Sequence, residues 1–277
     1  MCDACVIESV KERMLNRRGL LRGAGATALA AAAASLLPAT LPFAARAQEG
    51  QAGTVEDLTH TLTEDFPTFF GQQQFFLEQK FAFAKDGFNL FELRVNEHTG
   101  THLDAPLHFS ADGQSVDAIP VTNLVVPLCV VDIRARAEAD ADARLTPDDL
   151  KAWIATHGEI PDRACVALLS GWGAKVGTPG FRNTDAEGKM HFPGFHVEAA
   201  QMLLETGAVG IASDTLSLDH GPSPDFATHY AWLPANRWGL EAVANLERLP
   251  AAGATLVVGA PKHKGGSGGP ARVLALT

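Results

Sequence analysis

Cysteine and basic charge are both scarce in this sequence. Four cysteines occur in 277 residues, and two of them, Cys2 and Cys5, fall in an N-terminal stretch that reads as a removable leader. A disulfide framework or a thiolate-held metal needs paired cysteines at set spacings, and the Cys2/Cys5 pair has no second pair to complete it. Cys129 and Cys165 each stand in an apolar run, Leu-Cys-Val-Val and Ala-Cys-Val-Ala, and read as buried free thiols. Lys and Arg number 22 against 32 Asp and Glu, for a net charge of −10. Such a surface repels phosphate backbones and anionic lipid heads, which argues against a nucleic-acid partner. No apolar run reaches the ~20 residues that span a bilayer, so no stable membrane anchor is expected. The glycine-rich Gly265–Gly269 lacks a Gly-Lys-Ser/Thr ending and is no phosphate loop; it reads as a place of close backbone approach. Repeats, like-charge blocks and linker tracts are also missing. One domain is expected after the leader.

The leader is read from Asn16-Arg17-Arg18-Gly19-Leu20-Leu21-Arg22, an arginine pair ahead of an alanine-rich stretch closed by Pro38 and Pro42. Small residues at Ala45-Arg46-Ala47 suit a signal peptidase. This pattern predicts a twin-arginine signal over residues 1–47, recognition by the twin-arginine export machinery, and a periplasmic or secreted protein comprising residues 48–277. The segment carries six of the basic residues and three of the acidic ones, so its removal leaves the remainder more acidic still.

Hydrophobic residues make up 46% of the chain, enough for a sizeable core. Strands are expected at Thr54–His60, Phe75–Ala84 and Phe88–Asn96, where aromatic and β-branched residues nearly alternate. Leu124–Ile133 is continuously apolar and suits a strand buried on both faces. Thr146-Pro147-Asp148-Asp149 opens a helix running to His157, with a Thr cap, Pro in the first turn and Gly158 as its stop. Further strands are expected at Ala164–Leu169, Ala208–Ser213, Ala254–Gly259 and Ala271–Leu276, and helices at Val197–Thr206 and Leu240–Leu249. Strands alternating with helices predict a single α/β domain.

The densest group of metal-ligating residue types is His98, His102, Asp104 and His108, within HTGTHLDAPLH. Gly100 and Pro106 rule out one helix carrying both His98 and His102. The segment reads instead as a strand end entering a turn. His102 and Asp104, two apart on extended backbone, then face the same side, and Gly100 lets His98 fold back beside them. Imidazoles with a carboxylate suit Zn2+ or Mn2+.

His98–Phe109, HTGTHLDAPLHF, resembles the signature of the cyclase family, which includes bacterial kynurenine formamidases and isatin hydrolases. Asp214-Thr-Leu-Ser-Leu-Asp219, the pair His229 and Glu241, Asn245-Leu-Glu-Arg-Leu-Pro250 and the closing GGSGGPARVLAL extend the resemblance over roughly residues 55–277. The resemblance implies a swivelling β/β/α fold with a mixed β-sheet core and flanking helices, usually assembled as a homo-oligomer. It implies a centre of one or two divalent ions held by His98, His102, Asp104, His229 and Glu241, with His108 as general acid/base. His191, His196 and His220 are rival ligands; His229 ranks above them for its spacing to Glu241, again by resemblance.

The chemistry implied is hydrolysis of a C–N amide bond in a small aromatic or cyclic substrate, of arylformamidase or isatin hydrolase type. A dehydratase or cyclase on the same fold, or a non-catalytic metal- or ligand-binding protein, would use the same ligands. A divalent ion acidifies water toward pKa ~7, and a histidine titrates where it can pass that water's proton to a leaving nitrogen. Phe66-Pro67-Thr68-Phe69-Phe70 occupies the place where kynurenine formamidases carry a tryptophan against the aryl ring, with Phe69 at that position. Phe66, Phe69 and Phe70 are therefore the expected substrate contacts, and the missing tryptophan points away from N-formylkynurenine itself.

Overall fold

A computed structural model describes residues 53–277. The leader expected at residues 1–47 lies outside the described residues. Nine strands form one mixed sheet: β1 (Val55–Asp57), β4 (His102–Asp104), β5 (Val125–Asp132), β7 (Cys165–Leu169), β9 (Gly210–Ser213), β10 (Trp238–Glu241), β11 (Ala254–Gly259), β12 (Gly268–Pro270) and β13 (Arg272–Leu276). Their order is β1-β13-β11-β5-β7-β9-β10-β4-β12. The centre, β5-β7-β9-β10, is parallel, and antiparallel strands flank it on both sides. This is the mixed-sheet α/β architecture implied by the sequence.

The parallel strands come from strand–helix–strand crossovers, which place helices over one face of a sheet. The helices are α2 (Arg134–Ala139), α3 (Pro147–His157), α4 (Val197–Leu204) and α5 (Ala227–Trp232). In α3 the Asp149 carboxylate accepts from the Thr146 backbone N–H at 2.7 Å and from its hydroxyl at 2.8 Å, while Gly158, at φ 93°, ends the helix. Side chains alternate across the central strands. Leu128, Val130, Cys165, Ala167 and Leu169 join one core cluster. Cys129, Val131, Val166 and Leu168 join a second, with Leu150 and Trp153 of α3, Ala199 and Leu203 of α4, and Trp232 of α5. Cys129 and Cys165 thus lie on opposite faces of the sheet. Both are free and buried, and burial pushes the Cys129 thiol up to about 12.

Short strands β6 (Arg144–Leu145) and β8 (Gly194–Phe195) pair in parallel away from the main sheet. β2 (Phe75–Phe81) and β3 (Leu90–Val95) form another two-stranded sheet. Gln79–Phe91 belongs to a compact unit separate from the main body, and within it α1 (Phe83–Asp86) takes the end of the segment read as strand to Ala84.

The helix expected at Leu240–Leu249 does not form. Its start is the end of β10, parallel to β9 and buried throughout. Ala242 and Asn245 then take positive φ of 51° and 58°, incompatible with an α-helix, and only a single 3-10 turn, Leu246–Arg248, follows. An apolar run buried on both faces carries no period that separates strand from helix. Conversely α5 was not foreseen, because its six residues are too few for a helical period to emerge.

Candidate metal centre

The centre is built on the antiparallel pair β4 and β10. Glu241 lies directly across from His102, Leu240 from Leu103, and Gly239 from Asp104. Strand alternation sends Leu103 and Leu240 into the core and turns His102, Asp104 and Glu241 to the other face. Gly239, opposite Asp104, lets Leu218 pack close: a Cβ there would stand 2.6 Å from Leu218 Cδ1 and 3.4 Å from Asp104 Oδ2. The turn before β4 returns His98 to the same place. Gly100 holds φ 71°, and His98 Nδ1 lies 2.7 Å from Asp104 Oδ1. On the far side of β4, Gly268 of β12 faces Asp104, and a Cβ there would come within 2.8 Å of His98 Cε1. The glycine-rich loop therefore permits close packing around His98.

His229 arrives on α5. Its Nε2 is 3.1 Å from Glu241 Oε1 and 3.7 Å from Asp104 Oδ2. Asp219 governs this arrival: its carboxylate accepts from the backbone N–H groups of Thr228 (2.8 Å) and His229 (3.1 Å), and its Oδ2 lies 2.6 Å from His229 Nδ1. One carboxylate thus caps the helix and orients the imidazole it carries. On the other side, His102 Nδ1 donates to the Gly100 carbonyl at 2.8 Å, which turns Nε2 toward Asp104 Oδ1 and Glu241 Oε2, each 3.3 Å away.

The five residues assigned to metal from sequence, His98, His102, Asp104, His229 and Glu241, therefore converge although about 140 positions separate the first from the last. They also fit an ion. His102 Nε2 and Asp104 Oδ2 are buried without a hydrogen-bond partner, a costly state for polar atoms. Burial opposes a charged His102, yet the adjacent Asp104 and Glu241 carboxylates raise it to about 10. Burial likewise opposes charge on Asp104, but the histidines around it hold it well below the usual carboxylate range. Paired buried anions that demand a cation match the donor set of a divalent metal. Among the described residues two overlapping groups have ligand atoms within 4.8 Å of one another, His98/Asp104/His108 and His102/Asp104/Glu241, with Asp104 common to both.

His108 lies on the 3-10 turn Pro106–Phe109, its ring stacked on His98 with centroids 3.8 Å apart. Burial lowers it to about 4 and the nearby Asp104 charge only partly offsets this, so its imidazole is neutral. The rival His191 is occupied elsewhere, between Asp142 at 2.8 Å and Asp185 at 3.2 Å. His196 caps α4 by accepting from the Glu198 N–H.

The three phenylalanines expected at the substrate separate. Phe66 is 5% exposed and packs in the core with Trp172, Phe181 and Phe192. Phe70 is 70% exposed, its ring edge-on to Phe69 at 5.5 Å. Phe69 alone meets the centre's surroundings, 5.8 Å from Phe226 and tied in place by Arg182, which donates to its carbonyl at 3.1 Å. Two further rings, which the sequence reading did not nominate, lie beside His229. Phe109 sits 4.6 Å from the His229 ring and 5.6 Å from Phe226. Phe226 sits 5.7 Å from His229. Phe109 adjoins His108 in the motif and could have been nominated; Phe226 carried no local signal.

Comparison with known proteins follows the same lines. Residues 56–220 match the sequence model of the family described as "Putative cyclase". An isatin hydrolase of Roseibium aggregatum is 38% identical over 192 residues, covering 66% of this chain and 72% of that protein. A kynurenine formamidase of Salinibacter ruber is 28% identical over 186 residues, covering 67% and 79%. The solved isatin hydrolase A from Ralstonia solanacearum superposes with a TM-score of 0.78 at 36% identity, over 88% of this chain and 100% of that one.

Proposed function

Given that the chain belongs to the cyclase family, we propose that it is a metal-dependent hydrolase that opens the C–N amide bond of a small aromatic or cyclic substrate, of isatin hydrolase type. The observation that carries this reading is the convergence of His98, His102, Asp104, His229 and Glu241 with two buried polar atoms, His102 Nε2 and Asp104 Oδ2, left without partners. Zn2+ and Mn2+ both suit the mixed nitrogen and oxygen donors, as one ion or as two sharing Asp104. When bound, such an ion supplies Lewis acidity toward the amide carbonyl and makes water a better nucleophile.

The chain's own residues supply the remainder. His108 borders the ligand cluster through its stack on His98 and takes the proton of the attacking water. It returns that proton to the nitrogen as the C–N bond breaks, so that water is added across the amide, giving a carboxylate and an amine. Phe69, Phe109 and Phe226 offer ring surfaces to a flat substrate. The isatin type is preferred over the formamidase type because identity to the isatin hydrolase is 38%, against 28% to the kynurenine formamidase. Missing tryptophan at Phe69 points the same way.

The deciding experiment is elemental analysis of purified protein, paired with turnover of isatin and N-formylkynurenine side by side. Bound zinc or manganese with faster isatin opening is expected. Metal-free protein, or activity that survives chelators, would overturn the reading. Export by the twin-arginine route, a periplasmic or secreted location and a homo-oligomeric state belong to the same proposal. They are supported by the sequence of residues 1–47 and by the family resemblance, and are tested by cell fractionation and light scattering. Among the described residues no helix is long and apolar enough to cross a membrane.

A further inference from the structure

Two polar residues beside the centre have no part in it so far: Glu97, one position before His98, and Ser267 in the glycine-rich loop. The Ser267 hydroxyl donates to Glu97 Oε2 at 2.6 Å, and the Ser267 backbone N–H donates to the same oxygen at 3.2 Å. The Ser267 carbonyl accepts from the Ala105 N–H at 2.9 Å. Fixed by these bonds, Ser267 places its Oγ 3.1 Å from His98 Nε2, although 169 positions separate the two residues. Glu97 is held in turn at its other oxygen, where His263 Nε2 lies 2.6 Å from Oε1. Glycines on either side make room for the contact. A Cβ on Gly266 would stand 2.6 Å from Glu97 Oε1, and one on Gly268 would stand 2.8 Å from His98 Cε1.

The directions of these bonds settle which way the His98 ring is used. A carboxylate only accepts, so the single hydroxyl proton of Ser267 is committed to Glu97. What Ser267 turns to His98 is a lone pair, and the proton that fills it sits on His98 Nε2. A histidine spent in this way at Nε2 keeps Nδ1 for a ligand, and Nδ1 is the nitrogen that faces Asp104 Oδ1 at 2.7 Å. His102 and His229 are set the opposite way: the Gly100 carbonyl and Asp219 take their Nδ1 atoms, and both Nε2 atoms turn toward Glu241. We propose that Ser267, oriented by Glu97, is a positioning residue of the metal centre: it holds His98 by the Nε2–H and so presents Nδ1 to the ion, where His102 and His229 present Nε2. This inference rests on the metal-centre reading and is independent of which amide is cleaved.

The test compares wild type with Ser267→Ala, which removes the hydroxyl, and Glu97→Ala, which frees the hydroxyl proton. Zinc affinity is measured by competition with a chelator. Heteronuclear NMR of isotope-labelled histidines in the zinc-loaded protein reports which ring nitrogen is metal-bound, with the His98 signals identified by their loss in His98→Asn. Wild type is expected to bind zinc through His98 Nδ1 and to show an Nε2–H that exchanges slowly with solvent. Ser267→Ala should weaken zinc binding by about 10- to 100-fold and speed that exchange. Glu97→Ala should move both readouts in the same direction, and the metal-free Tm of each variant should stay near that of metal-free wild type. If Ser267→Ala fails to fold, Glu97→Ala decides alone. Zinc found on His98 Nε2, or affinity within about twofold of wild type in the folded variants, overturns the assignment. Wild type that binds zinc in the expected way yet opens no amide would count against the hydrolase reading while retaining this one; wild type that takes up no zinc would overturn both.

Discussion

Asp219 shows how much one carboxylate can organise. It satisfies backbone N–H groups at the start of α5, where Phe226 offers no capping side chain, and it orients the His229 imidazole. Carboxylate partners of ligating histidines are commonly worth about 10- to 100-fold in metal affinity. Asp219→Asn is therefore expected to shed metal to a competing chelator in that range; unchanged retention would leave Asp219 as a helix cap alone. His108→Ala should retain metal and lose at least ~10²-fold in turnover. Loss of metal as well would make His108 a ligand, a role its membership of the His98/Asp104 group allows. Asp214 is a buried acid with a different signature. Burial raises it to about 6, although the Ser170 hydroxyl and the N–H groups of Ser170, Gly171 and Trp172 all donate to it. An acid whose folded value exceeds its unfolded value near 4 stabilises the fold most when protonated. That contribution falls by about 3 kcal/mol as pH rises from ~4 to ~6, and is absent above. Denaturation midpoints across that window should drop more steeply for wild type than for Asp214→Asn. Identical slopes would mean that the carboxyl titrates normally.

At the scale of elements, the turn into β4 decides the site. Gly100 takes φ 71°, and a Cβ there would stand 2.9 Å from Leu62 Cδ1. Gly100→Ala is expected to cost about 1–2 kcal/mol in backbone strain and to weaken metal retention, because His98 reaches Asp104 only through this turn. Chemical denaturation with metal analysis checks both; a fully stable, fully loaded variant would show that His98 tolerates another path. This turn was legible in the sequence, since Gly100, Pro106 and two-residue spacing carry direct conformational meaning. So were α3, with its Thr146 and Asp149 cap, and the central strands β5 and β7. Leu240–Leu249 was misread because burial on both faces erases periodicity. α5 was invisible because its start depends on Asp219, eight positions upstream of its first residue, and on no cap of its own.

For the whole molecule, an ion held by β4, α5 and β10 would add a further tie between two paired strands and the helix packed against them, and so stabilise the folded state by mass action. At an ion concentration about 100 times its dissociation constant this amounts to about 2.7 kcal/mol. Removing metal with a chelator should lower Tm by several degrees, and adding zinc or manganese back should restore it; a Tm indifferent to metal would deny the ion a bridging role. Read alone, the sequence determined the turn geometry of His98–His108, the buried thiols and the α/β class. Each depends on neighbours within a turn or a strand, where spacing translates directly into direction. Only the tertiary structure decided that Phe66 is core, that Phe109 and Phe226 join Phe69 near the centre, and that Asp219 serves His229. Those relations arise where the parallel crossovers bring strand ends together, and contact across such distances leaves no periodic trace along the chain.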